Sequence, residues 1–221
     1  MLNAVIDLYR KDSVESWDAV KGAGIHAIIH KATQGTGYVD EKYAKRRAAT
    51  VERGFLWGAY HFGDASDPQK QARHFLDTVK SVEASLAAQL GHPPAPPPLL
   101  VLDLEENFLE PSNSMSIGKA EKFVTYVQEQ TGRFPGLYAG DDLRSMLNGH
   151  PNQTLARCWL WLADWREKPR LIAGWNEWTL WQYTDGGNGP EPRSCAGVST
   201  CNRTQFNGDL TGLRKLFGAS A

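Results

Sequence analysis

Strand-like apolar runs alternate with helix-like segments through the first two-thirds of this 221-residue chain, and that alternation narrows the available folds more than any other feature. Candidate strands fall at 4–9, 26–32, 55–62, 99–105, 136–139, 158–163 and 178–183. Candidate helices fall at 16–21, 41–53, 68–88, 116–130 and 141–147, with a closing helix at 209–217. Several helices open on Asp or Ser, whose side chains accept from the first free backbone N–H groups. Strands joined by crossover helices build a parallel sheet, and a chain of about 200 to 250 residues suits one barrel of such units. The expected fold is α/β: a single irregular (β/α) barrel, TIM-barrel-like, over residues 1–221. Its C-terminal half should carry few helices, because six of the eight tryptophans crowd between Trp159 and Trp181 with no long helix among them. Residues 92–98 hold five prolines but run straight into the strand beginning at Leu99, which predicts a surface loop inside one domain.

Composition excludes several classes of function. With 24 Lys+Arg against 25 Asp+Glu and 41% hydrophobic residues, the chain can bury a core and lacks the basic excess that nucleic-acid binding needs. No apolar run reaches the roughly 18 residues that cross a bilayer, so no membrane partner is expected. Gln34-Gly35-Thr36-Gly37 follows a strand, yet Asp40 stands where a dinucleotide loop needs its third glycine. His26 and His30 share one strand face without a third ligand nearby, so they are expected to pack, and neither metal nor cofactor is expected. Cys158, Cys195 and Cys201 are too few for a disulfide scaffold. If the protein works outside the cytoplasm, the expectation is a local Cys195–Cys201 bond with Cys158 free and buried.

The chemical signal is an apolar strand that ends in acid, Leu99-Leu100-Val101-Leu102-Asp103-Leu104-Glu105. Side chains alternate faces along a strand, so Asp103 and Glu105 point to one side with Cα atoms about 6.5 to 7 Å apart. Asp7 ends the first strand in the same way. Parallel barrels carry their active sites where strands end, and three carboxyls gathered there repel, which keeps a proton available near neutral pH. Tyr60, Tyr138, Trp165 and Gln182 stand at or just past other strand ends. Flat aromatic faces beside a few polar atoms suit sugars.

The first-strand Ile6-Asp7, the run Ile28 to Gly35, Gly58-Ala59-Tyr60-His61-Phe62, Asp103-Leu104-Glu105, Leu137-Tyr138, Leu160-Trp161-Leu162-Ala163, Trp181-Gln182-Tyr183 and Phe206-Asn207-Gly208 occur in that order. Together they resemble glycoside hydrolase family 25, the Chalaropsis-type lysozymes, over nearly the whole chain. The resemblance implies hydrolysis of the β-1,4 bond between N-acetylmuramic acid and N-acetylglucosamine in peptidoglycan, outside the cytoplasm or at the cell wall, by a monomer. It implies Glu105 as general acid, Asp103 as partner carboxylate and Asp7 as a third acid, with Tyr60, Tyr138 and Gln182 along the sugar groove; Trp165, from the strand-end aromatics, and Asn202 are expected to bind substrate beside them. At Asn202 the chain departs from the family pattern, which has an aspartate shortly before the final Phe and Gly. Two other readings remain open here: a non-catalytic glycan-binding barrel and a chitinase-like hydrolase.

Overall fold

The computed structural model describes residues 1–198 and 201–219. Among these, the strands are β1 (Leu2–Leu8), β2 (Ala27–Gln34), β3 (Tyr38–Val39), β4 (Leu56–Phe62), β5 (Leu99–Asp103), β6 (Gly136–Ala139), β7 (Trp159–Ala163), β8 (Leu180–Thr184) and β9 (Asn202–Phe206). The helices are α1 (Trp17–Gly22), α2 (Tyr43–Val51), α3 (Pro68–Leu90), α4 (Ile117–Thr131), α5 (Asp141–Leu147) and α6 (Leu210–Leu216). Hydrogen-bonded strand order is β1-β9-β8-β7-β6-β5-β4-β2-β3, and a β1–β2 pairing closes eight of the strands into a barrel.

Seven strands run parallel as expected. The eighth, β9, is antiparallel to both β1 and β8 and was not legible in the sequence. It replaces a final βα unit, which is why the second half lacks the helices of a regular barrel. The short β3 hairpin partner of β2 was also not anticipated. Helices α4 and α5 cover the expected segments 116–130 and 141–147; Ser16, Asp67 and Asp209 each accept a backbone N–H in the first turn of α1, α3 and α6, whereas the Ser116 side chain makes no such bond. Residues 92–98 form the loop between α3 and β5.

Two apolar layers follow from strand alternation. Val5, Ile29, Leu99, Val101, Leu180 and Phe206 point inward, where Leu213 and Phe217 join them. Ile6, Ile28, Leu102, Leu104, Leu137 and Leu160 point outward against the helices. Gly136 has no side chain because the Trp159 ring of the neighbouring strand occupies that space; a Cβ there would lie 2.1 Å from it. Along each strand the inward residues change from apolar to polar: Leu99 and Val101 precede Asp103, Val5 precedes Asp7, and Leu180 precedes Gln182. In β9 the order reverses from Asn202 through Thr204 to Phe206, since that strand runs the other way. One end of the barrel is therefore polar and the other sealed.

The three cysteines are buried and free. The expected Cys195–Cys201 bond is not formed; Cys195 Sγ donates to the Ala196 carbonyl at 3.5 Å, and the mutual influence of the two thiols brings Cys195 down to about 7 and pushes Cys201 up. Burial raises Cys158 to about 12.

Candidate active site

Asp7, Tyr60, Asp103, Glu105, Tyr138, Trp161 and Asn202 surround one cavity of about 70 Å³ at the polar end of the barrel. Strand register explains their meeting. Asp103 is flanked in the sheet by Phe62 and Tyr138, and Asp7 by Ile29 and Asn202. The β5 ladder stops at Asp103, so Glu105 stands beyond the sheet. Alternation nevertheless persists, because the Leu104 N–H donates to the Tyr138 carbonyl and the Leu104 side chain stays in the outer core. Glu105 accordingly faces the cavity on the same side as Asp103. The Glu106 N–H, donating to Asp142 Oδ2 at 2.9 Å, pins the next residue.

Asp7 is 6% exposed, and both of its oxygens are engaged. Gln182 Nε2 donates to Oδ1 at 2.9 Å and Asn202 Nδ2 to Oδ2 at 2.8 Å. Gln182 is oriented by two donors to its own carbonyl, Tyr138 Oη at 3.0 Å and Trp165 Nε1 at 3.1 Å. Burial outweighs the two amide donors and raises Asp7 to about 7. Glu105 is likewise raised to about 7, by burial and then by the Asp142 charge, with Lys31 opposing. Asp103, also 6% exposed, is pushed well up by burial and by Glu105, again with Lys31 opposing. Its Oδ1 is buried and has no hydrogen-bond partner. A buried acceptor left unpaired is costly.

A wider opening of about 530 Å³ shares Glu105 and Tyr138 with the small cavity. Phe108, 75% exposed and beyond β5, and Trp165, 41% exposed and beyond β7, both line it. The Trp165 turn is held rigidly. Against the burial of the Asp164 side chain, the Arg170 N–H at 2.9 Å and the Arg166 and Arg170 guanidiniums keep that carboxyl low, while its carbonyl accepts from Trp181 Nε1 at 2.6 Å.

All eight residues singled out in the sequence lie at this end of the barrel, six on the cavity, Gln182 behind Asp7 and Trp165 in the wider opening. Other strand-end aromatics do not. His61, Trp181 and Tyr183 face outward; His61 stacks on Phe123 and bonds Thr33 and Gln71, and Tyr183 Oη bonds Asn3 and the Pro192 carbonyl. His30 packs as expected, with Nε2 against Arg46 Nη1 and Nδ1 against the Lys31 carbonyl. Trp161, Phe108 and Lys31 were missed. Trp161 lies mid-strand in β7 and Lys31 in the second half of β2, each in phase with the inward positions of its strand.

Residues 6–191 match the sequence profile of Glycosyl hydrolases family 25. The chain belongs to that family. Lysozyme M1 of Streptomyces globisporus is 27% identical over 228 residues, covering 98% of this chain and 71% of that protein. The N,O-diacetylmuramidase of Chalaropsis sp is 29% identical over 175 residues, covering 74% of this chain and 79% of the relative. The crystal structure of the bacterial lysozyme from Streptomyces coelicolor superposes with a TM-score of 0.75 at 28% identity, covering 97% of this chain and 96% of that one. This family 25 member is therefore a glycoside hydrolase with the irregular α/β barrel of its relatives.

Proposed function

We propose that the chain is a muramidase, cleaving the β-1,4 bond between N-acetylmuramic acid and N-acetylglucosamine in peptidoglycan at or outside the cell envelope. Glu105 is its general acid and Asp103 the partner carboxylate. The observation that carries this reading is that Asp103 and Glu105 line one small cavity, Asp103 with a buried Oδ1 that has no hydrogen-bond partner.

The acetamido group of a bound N-acetylmuramic acid supplies the missing donor. Its N–H donates to Asp103 and favours the Asp103 anion, so the proton that this coupled pair retains comes to rest on Glu105. Glu105 gives that proton to the glycosidic oxygen as the bond from the sugar C1 breaks, and the acetamido oxygen forms a bond to C1 in its place. The resulting ring carries positive charge beside Asp103. Water then displaces the acetamido oxygen from C1, restoring the N-acetyl group and giving its proton to Glu105, and the configuration is retained. Asp7 is tied to two amide donors on the cavity wall, which supports a positioning part rather than nucleophilic attack. Tyr60, Tyr138, Gln182 and Asn202 bound the sugar; Trp165 serves the wider opening.

The deciding assay measures new reducing ends from purified peptidoglycan and from chitin. Release from peptidoglycan with little from chitin is expected. Preference for chitin would move the substrate to the chitinase class, and binding without release would make the barrel a glycan-binding module.

A further inference from the structure

Three hydrogen bonds fix both the place of the Gln182 amide and which way round it lies. Its Oε1 is 3.1 Å from Trp165 Nε1 and 3.0 Å from Tyr138 Oη, and its Nε2 is 2.9 Å from Asp7 Oδ1. An indole N–H donates and never accepts, so the amide oxygen must face Trp165; turned over, the amide would set one N–H against another. A carbonyl oxygen in turn only accepts, so the Tyr138 hydroxyl must direct its one proton to Gln182. Gln182 is 1% exposed, and bulk water does not compete for these bonds.

The consequence falls on Tyr138, which lines both the small cavity and the wider opening and stands beside Asp103 in the sheet. Its proton is committed to the amide, and among the described residues its hydroxyl makes no other hydrogen bond to the protein. A bound glycan therefore meets only its lone pairs. Trp165 holds this arrangement. Without the indole N–H, an inverted Gln182 would donate to Tyr138 and accept from Asp7 in its protonated form, and the phenol could turn its proton outward. We propose that Trp165 and Gln182 are positioning residues that keep Tyr138 a hydrogen-bond acceptor, so that the junction of the cavity and the wider opening selects a donor on the sugar. With the acetamido N–H given to Asp103, that donor is a glycan hydroxyl. The catalytic meaning rests on the muramidase reading, whereas the anchoring is measurable in the free protein.

Trp165→Phe separates the aromatic ring from its N–H: a flat ring stays in the wider opening and the donor goes. On solubilised peptidoglycan, kcat should fall about tenfold with KM within about twofold of wild type, and in a Gln182→Met background the same change should add nothing, as befits a residue acting through another. A raised KM with unchanged kcat, or effects that simply multiply, would leave Trp165 a stacking contact and overturn the proposal. Polarity is read with glycan fragments in which fluorine, which cannot donate, replaces one hydroxyl at a time. One position should lose about tenfold in kcat/KM with wild type and nothing with Tyr138→Phe; a scan in which Tyr138→Phe alters no position's penalty overturns the selection of a donor. Hydrogen exchange needs no substrate. The Trp165 indole proton, identified as the nitrogen-15 NMR resonance missing from Trp165→Phe, should exchange at least about tenfold more slowly than that of free tryptophan, and Gln182→Met should remove the protection. An unprotected wild-type indole overturns the anchoring whether or not Gln182→Met folds. Wild-type chain that releases no reducing ends from peptidoglycan would defeat the muramidase reading and leave the exchange result to decide the anchoring by itself.

Discussion

Asn202 Nδ2 donates to Asp7 Oδ2 at 2.8 Å across the β1–β9 pair, joining the first and last strands of the barrel at the floor of the site. An amide here gives Asp7 a donor where a carboxylate would give it a rival. Asn202→Asp removes the donor and adds a negative charge to a cavity already holding Asp7, Asp103 and Glu105, which raises the cost of ionising each. The upper half-activity pH of peptidoglycan hydrolysis should therefore rise relative to wild type at constant ionic strength. Superimposable profiles would remove Asn202 from electrostatic reach of the acid.

Glu105→Gln should fold normally and lose about 10²- to 10⁴-fold in kcat, because an amide has no proton to give the leaving oxygen. Asp103→Asn should be impaired comparably, since the neutral group cannot stabilise charge developing beside it. Initial rates of reducing-end release check both. An Asp103→Asn enzyme within tenfold of wild type would take Asp103 out of the reaction.

Stability should fall as pH rises through neutrality. Asp7 and Glu105 both have folded values raised to about 7 from 3.8 and 4.5. The folded state therefore binds more protons than the unfolded chain between about pH 4 and 7, and the contribution is complete below that window and lost as pH rises through it. Thermal midpoints should drop from pH 5 to pH 8, and Asp7→Asn, whose side chain cannot ionise, should flatten the slope. A wild-type midpoint that climbs over this range would contradict the assignment.

Phe108 and Trp165 both line the wider opening as exposed aromatics on loops beyond β5 and β7. A sugar ring stacked on either gains about 1 kcal/mol, so Phe108→Ala and Trp165→Ala should each raise KM about fivefold. For Phe108→Ala kcat should change little. Trp165→Ala also removes a donor to the Gln182 carbonyl and should lower kcat as well. Steady-state kinetics on solubilised glycan separates the two effects.

Much of this site was present in the order of residues alone. Leu99 to Asp103 and Val5 to Asp7 each pass from apolar to acidic at alternate positions, and in a parallel sheet such endings must collect at one rim. Trp181 and Tyr183 were ambiguous by the same rule, because period-two alternation separates the two faces of a strand without saying which face is the interior. The inward setting of Gln182 between them resolves it. β9 was illegible for another reason: Asn202 to Phe206 is short and mixed in polarity, and its antiparallel run depends on two free edges, those of β1 and β8, that exist only after the barrel has formed. Proton placement also belongs to the tertiary structure. The sequence determined which groups reach the mouth, through local alternation along each strand; burial, together with the Gln182 and Asn202 donors to Asp7, displaces their proton affinities, because those depend on distances between strands remote in the chain.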